Sequence, residues 1–300
     1  MSERRTTLLA SLALLSMTAC WGSTFYLIKD LLDRVPVLDF LVVRFAIASV
    51  ALLLLAPRAL SKVSAENRRS AVVLGGLYGV AQILQTAGLA HTAASVSGFV
   101  TGLYVVATPL LTALILKRRI PRLTWLAAGL ATVGLGVLAL HGFAIGYGEL
   151  LTLIAAVIYA GHIVALGRFS TSETTLSLSL VQLIMITLVS AVAAFWPTGG
   201  SAPGIQLPSS VHDWLVVLYL ALIASALTMV LQTWAQAHIE PSRAAVIMAM
   251  EPVWAAAFAV ALGGERITLR MIIGGLAIVS AMYLVERPQK HRLSAKEYVR

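Results

Sequence analysis

Ten apolar runs divide this 300-residue chain: Leu8–Leu31, Leu38–Ala56, Ala71–Ala90, Ser95–Leu116, Leu123–Leu140, Glu149–Gly167, Leu176–Trp196, Trp214–Ala237, Ser242–Leu262 and Leu269–Val285. Each approaches the length of about 20 residues at which a helix crosses a bilayer. A segment in lipid must satisfy its own backbone, and nothing here alternates as barrel strands do. Hydrophobic residues make up 59% of the chain and charged residues 12%, with a mean hydropathy of +0.89. That leaves too little charge to cover a soluble domain of this length. The expected fold is all-α and polytopic, one transmembrane domain over residues 1–300 with short hairpin connections embedded in a lipid bilayer.

Basic residues orient such a chain. With the N-terminus inside, seventeen of the 22 Lys and Arg fall on the cytoplasmic side. Lys29, Arg34, Arg266 and Arg270 fall outside, and Arg44 lies within the second run. Both termini are therefore expected in the cytoplasm. The net charge of +9 reads as a topology signal and requires no nucleic acid. The basic tail, residues 287–300, is expected to lie on anionic lipid. Met17-Thr18-Ala19-Cys20 resembles a lipoprotein cleavage site, but the apolar run continues through Ile28, which favours a retained membrane segment. Cys20 is the sole cysteine, so no internal disulfide forms. No cofactor and no metal are expected.

One phrase is written twice. LQTAGLAHTAAS (Leu84–Ser95) and LQTWAQAHIEPS (Leu231–Ser242) stand 147 residues apart. GLATV (Gly129–Val133) echoes GLAIV (Gly275–Val279), and Pro109 has a counterpart in Pro252 once a short gap is allowed. Five runs separate the two copies of the phrase, an odd number, so the copies face opposite sides. Residues 8–140 and 148–286 then form two inverted five-helix repeats, an arrangement typical of transporters that alternate access around a central site. The alternative is a duplication retained only for folding.

Four stretches carry a family resemblance: CWGSTFYLIK in the first run, VPVLDFLVVRFAIA entering the second, GELLTLIAAVIYA in the sixth and MEPVWAAAFAVALGGE in the ninth. In this order, across ten helices, they resemble the drug/metabolite transporter superfamily, EamA type. The resemblance implies a basket of two inverted halves around a central cavity lined by the first, third, fourth, sixth, eighth and ninth helices. It is nearest to inner-membrane exporters of amino acids, including aromatic ones, and so implies the bacterial inner membrane and a small-molecule substrate. Tyr159 departs from the family, many of whose members have Trp there, and His162 is not a family hallmark.

Polar groups within lipid are expensive and should face protein or water. On the third helix, Tyr78, Gln82 and Gln85 form one stripe at i, i+4 and i+7. Ser225, Thr228 and Gln232 repeat it on the eighth. Trp21, Tyr104, Tyr159, His162, Met250 and Trp254 complete the candidate substrate-binding set. Amides and hydroxyls suit the charged head of a zwitterion, and aromatic and thioether surface suits a variable side chain. Each residue has a packing alternative, an interhelical hydrogen bond. Arg44 is expected to pair with Asp39 or Glu149, or to snorkel outward, in a structural role. Glu251 precedes Pro252, which removes a helix hydrogen bond; a carboxyl there can bind an ammonium or carry a proton. The Glu-Pro pair also belongs to the family's general pattern, which implies gating or structure, as for Pro109. The pairs Gly75/Gly79 and Gly98/Gly102 permit close helix approach. Packing within one chain is favoured, hence a monomer, with a dimer as the alternative.

Three classes of function compete. A gradient-driven transporter fits the inverted repeat, and no ATP-binding motif is present; facilitated diffusion leads, with proton-coupled export of drugs or nucleoside-like metabolites as the alternative. A membrane-embedded lipid-modifying enzyme would need clustered carboxylates or histidines, and no HExxH or DxxxD motif occurs. A structural subunit would have no use for polar stripes at mid-depth. The expectation is a transporter and not an enzyme.

Overall fold

The computed structural model describes residues 3–62, 64–92, 94–117, 119–139, 146–195, 204–262 and 267–286. The basic tail 287–300 and Arg266 lie outside the described residues. Among the described residues there is no strand. The α-helices are α1 (Glu3–Gly22), α2 (Thr24–Leu32), α3 (Val37–Leu55), α4 (Ala65–His91), α5 (Ala94–Gly102), α6 (Tyr104–Ile115), α7 (Arg122–Ala139), α8 (Tyr147–Phe169), α9 (Thr175–Phe195), α10 (Val211–Ala221), α11 (Thr228–Gln236), α12 (Pro241–Met248), α13 (Glu251–Leu262) and α14 (Leu269–Glu286). A π-helical segment, Leu222–Leu227, joins α10 to α11.

Seven segments are long and apolar enough to cross a membrane: Arg4–Leu32, Val37–Leu55, Asn67–His91, Val96–Ile115, Tyr147–Phe169, Thr175–Phe195 and Val211–Gln236. Arg122–Val137 and Leu269–Leu284 are shorter apolar helices. Leu54, Leu114, Val133 and Leu276 are exposed, while Thr108, Thr152, Gln182 and Thr233 are fully buried. Apolar outside and polar inside is the distribution that a lipid solvent requires. The molecule is a multi-pass helical membrane protein.

Close crossings fix the helices around one another. α4 runs along α8 and α9, α7 along α14, α3 along α9, and α1 against α11, α12 and α13. At the α4–α8 crossing, a Cβ on Gly88 would stand 2.4 Å from Thr152 Oγ1 and 2.6 Å from the Gly148 carbonyl. Gly75 and Gly79 admit Gln182, Met185, Ile186 and Val189 of α9, and Gly102 admits Leu135 of α7. The small residues of α4 and α5 therefore serve packing within the chain.

Several helices expected to be continuous are interrupted. α1 and α2 part at Ser23, α5 and α6 at Leu103, and α12 and α13 at Ala249–Met250. Proline accounts for the break at Ala249–Met250, since Pro252 cannot donate to the Met248 carbonyl. Pro109 lies within α6, six residues past the break at Leu103, and leaves the Val105 carbonyl without its helix donor.

Candidate functional site

The interruptions surround a cavity of about 60 Å³. That is room for a few waters, and well below the roughly 300–1,000 Å³ of a pocket enclosing a ligand of drug size.

Its outer shape begins at Gly22. A Cβ there would lie 2.7 Å from Trp254 Cβ and 2.8 Å from the Glu251 carbonyl, so only glycine lets α1 press onto α13 at this point. Trp21 and Glu251 are thereby brought to the same cavity. Trp21 Nε1 donates to the Ala224 carbonyl (3.2 Å) and to Thr228 Oγ1 (3.3 Å). The π segment explains why that carbonyl is free. The Thr228 N–H bonds to Ile223, five residues back, instead of to Ala224. Ala224 is left to accept from side chains, Arg44 as well as Trp21.

Arg44 borders the cavity and is 4% exposed. Its Nε donates to Ser225 Oγ (2.7 Å) and its Nη2 to the Ala224 carbonyl (3.2 Å), while Nη1 is buried without a partner among the described residues. The guanidinium carbon lies 5.1 Å from the Phe45 ring centre and 5.8 Å from that of Phe40. The expected pairing with Asp39 or Glu149 is not found, and Arg44 does not reach the surface. Asp39 Oδ2 accepts from the Gln206 N–H, and Glu149 accepts from Thr92 and the Gly146 N–H, which uses both carboxylates elsewhere.

The third-helix stripe faces the cavity as a unit: Tyr78, Gln82 and Gln85 all border it. Tyr159 of α8 hydrogen-bonds to Oε1 of Gln82 and, at 2.9 Å, to Oε1 of Gln85, whose Nε2 donates to Thr101 Oγ1 (3.0 Å). One phenol proton serves two amide oxygens, so one amide is always under-bonded and available to a solute or water. The Tyr78 ring meets Tyr159 and His162 edge-on, at 5.3 and 5.0 Å between ring centres. His162 Nε2 is 2.8 Å from Gln182 Oε1. Gln182 Nε2 is committed to the Leu178 carbonyl, so its oxygen accepts and His162 Nε2 carries the proton. His162 Nδ1, Tyr104 Oη and Gln232 Oε1 are buried on cavity-bordering residues with no partner among the described residues.

Three candidates sit elsewhere. Thr228 is turned toward Trp21, behind the cavity wall. Met250 is buried in an apolar cluster with Ala127, Ala131 and Ile278, and Trp254 packs against that cluster. Pro109 and Pro252 are buried within their helices and do not border the cavity. Glu251 does, as the first residue of α13. The structure adds Thr24, Phe25 and Ile28 of α2, Thr86 and Leu89 of α4, and Met248 of α12. Thr86 follows Gln82 at i+4 on the unbroken α4, so the same periodicity carried its signal, whereas Phe25 and Ile28 lie beyond the break at Ser23, where spacing from Trp21 gives no phase.

Polar contacts tie the elements above and below. Lys29 Nζ donates to the carbonyls of Leu89, Ala90 and Thr92 (2.8, 3.0 and 3.1 Å), closing the end of α4. Arg34 pairs with Asp30 (2.6 Å) and Asp213 (2.7 Å), joining the α2 end to α10. Toward the opposite end, Gln236 Nε2 donates to the Ile163 carbonyl (2.9 Å). Among the described residues no three His, Cys, Asp or Glu side chains converge as a metal site would need.

A cavity between broken helices, bordered by a guanidinium, a carboxyl group, phenols and amides, is suited to holding a small polar solute. Comparison with known proteins agrees with that use. An uncharacterized transporter of Archaeoglobus fulgidus is 29% identical over 279 residues, covering 93% of this chain and 86% of that protein. A solved crystal structure has the same fold, with a TM-score of 0.76 at 18% identity over 92% of this chain and 96% of that one. The sequence model of the EamA-like transporter family matches residues 8–140 and 146–287. With nearly its whole length matched, the chain belongs to the EamA-like transporter family and is a membrane transporter of small molecules.

Proposed function

We propose that this transporter exports amino acids, including aromatic and other neutral ones, by alternating access and without obligatory ion coupling. The observation that carries the reading is the lining of the cavity, which has room for a few waters in this conformation and widens to admit an amino acid in this reading. Arg44 and Glu251 border one space walled by Trp21, Phe25, Tyr78, Tyr104 and Tyr159. Opposite charges suit a zwitterionic head, and the aromatic wall suits its side chain. A zwitterion carries no net charge, so its passage draws on its own gradient and needs no accompanying ion.

Two inverted five-helix halves provide the machinery in this reading. The shorter apolar helices and the α12–α13 pair, added to the seven long segments, give ten crossings. The contact pattern supports the symmetry. First-with-eighth packing (α1 on α11) is mirrored by sixth-with-third (α8 on α4), and first-with-ninth (α1 on α13) by sixth-with-fourth (α8 on α6). Second-with-seventh (α3 on α9) and fifth-with-tenth (α7 on α14) map onto themselves. The breaks agree as well, since Met250 follows Leu103 by 147 residues, the offset of the duplicated phrase. Broken helices at matching places in two halves point to the transport site. The chain is assigned to a bacterial inner membrane with both termini cytoplasmic, as the bias in basic residues supports.

His162 and Glu251 both border the cavity, so proton-coupled export is the competing reading. Purified protein in liposomes, assayed by counterflow against amino acids, nucleosides and cationic drugs, separates the two. The expected result is amino-acid counterflow that persists when an ionophore collapses the proton gradient. Counterflow abolished by the ionophore establishes proton coupling instead.

A further inference from the structure

We infer that the cavity is a two-ended clamp, in which Arg44 receives the substrate carboxylate and Glu251 its ammonium group. The inference rests on the amino-acid reading above and assigns the two ends of that substrate.

Arg44 carries the argument. A guanidinium offers five N–H donors in a planar fork that matches a carboxylate edge. Protein acceptors take Nε and Nη2, both on the π segment, and Nη1 has none among the described residues. No carboxylate among the described residues pairs with it. A fully buried cation without a counter-ion is a poor structural element, because its burial is not offset by attraction. Here the acidic residues that might have served are bound elsewhere, Asp39 to a backbone N–H and Glu149 to Thr92 and Gly146. What remains open to Arg44 is the cavity that it borders, and the missing partner is an anion that enters it.

Glu251 is the complement. It is 6% exposed, borders the same cavity, and makes no side-chain hydrogen bond or ion pair among the described residues. It heads α13, where the N-terminal backbone favours negative charge. Tyr78 and Tyr159 border the same cavity as both groups. The guanidinium and the carboxyl group do not pair with each other. A zwitterion inserted between them compensates both at once, and neither a simple amine nor a simple acid can do so.

The test uses three ligands that share a phenyl ring: phenylalanine, phenethylamine, which lacks the carboxylate, and 3-phenylpropionate, which lacks the amine. Each competes against labelled phenylalanine in counterflow by the wild-type protein in liposomes. Both one-ended analogues are expected to inhibit at least tenfold more weakly than phenylalanine. In Arg44→Met, phenylalanine should weaken at least tenfold in binding to the purified protein, while phenethylamine changes by less than twofold. In Glu251→Gln, phenylalanine should weaken similarly, and 3-phenylpropionate should hold. Wild-type competition requires no variant to fold. If either analogue matches phenylalanine there, or Arg44→Met weakens all three ligands alike, the clamp is wrong although amino-acid transport stands. If wild-type protein moves no amino acid, the proposed function itself fails, and the clamp with it.

Discussion

Replacing Arg44 with Met should leave the protein about as stable as before, although Arg44 is buried and hydrogen-bonded. Its bonds to Ser225 Oγ and the Ala224 carbonyl come from a charged donor, and each contributes about 1.5–3 kcal/mol. Against them stands the burial of a full charge with no counter-ion, a penalty of several kcal/mol. Met removes both contributions and strands neither acceptor. Ser225 Oγ still donates to the Leu220 carbonyl at 2.8 Å, and the Ala224 carbonyl still accepts from Trp21 at 3.2 Å. The thioether would lie beside Phe40 and Phe45, rings that pack well against sulfur. The opposing contributions are of similar size, so the net change should stay within about 1 kcal/mol. Unfolding by detergent titration in mixed micelles measures it, with Ser225→Ala and the double variant completing a cycle. Ser225→Ala alone strands Nε and frees the Leu220 carbonyl, a loss of about 2–4 kcal/mol. In the Arg44→Met background the same change loses only the neutral bond, about 1 kcal/mol. The coupling should therefore be about 1–3 kcal/mol. A loss above about 3 kcal/mol in Arg44→Met, or additive single changes, would refute the reasoning by making Arg44 a residue held for stability.

Three further outcomes follow from the packing. Gly88→Val should destabilise by at least about 1–3 kcal/mol, because its Cβ meets Thr152 Oγ1 and the Gly148 carbonyl, and a lowered melting temperature with poor insertion checks it. Cysteine placed at His91 and at His238, in a Cys20→Ser background, should label from opposite faces with an impermeant thiol reagent; labelling of both from one face sinks the inverted arrangement. Gln82→Ala should shift melting little, since cavity water can take up the hydrogen bond freed on Tyr159, while Tyr78→Ala, which also loses edge-on ring contacts with Tyr159 and His162, should lower transport of large side chains most. Unfolding of either variant, with normal transport by the protein that survives, would make the stripe a packing feature.

Periodicity was readable in the sequence where a helix is continuous, and misleading where it is not. α4 runs unbroken from Ala65 to His91, so Tyr78, Gln82 and Gln85 share a face over two turns and do meet at the cavity. The ninth run breaks at Ala249–Met250, and spacing gives no rotational phase across a break. Met248 therefore borders the cavity, while Met250 and Trp254 are carried into the packing against α7 and α14. The π segment does the same to Thr228. A turn with bonds five residues apart shifts the register, and Thr228 faces Trp21 while Gln232, one turn on, regains the cavity. For Arg44 the difficulty was different. Nearby carboxylates in the sequence suggested a partner, and nothing in residue spacing reveals that a backbone N–H and a threonine claim them first.

The irregular backbone and the cavity coincide for one physical reason. A carbonyl that loses its helix partner in lipid must find another donor or face water. The breaks at Ser23, Leu103 and Ala249–Met250 and the π segment all fall in spans that contribute residues to the cavity. α7, α9 and α14 are continuous and contribute none. The paired continuous helices α7 and α14 thus form a frame, and the elements able to bend are gathered where polar side chains can satisfy them. Ala224 shows how the two needs are met together. Its freed carbonyl is covered by Trp21 and Arg44, and that same contact holds both side chains at the cavity wall. In the proposed function, that local defect in the helix is what presents the cation and the aromatic ring to the substrate.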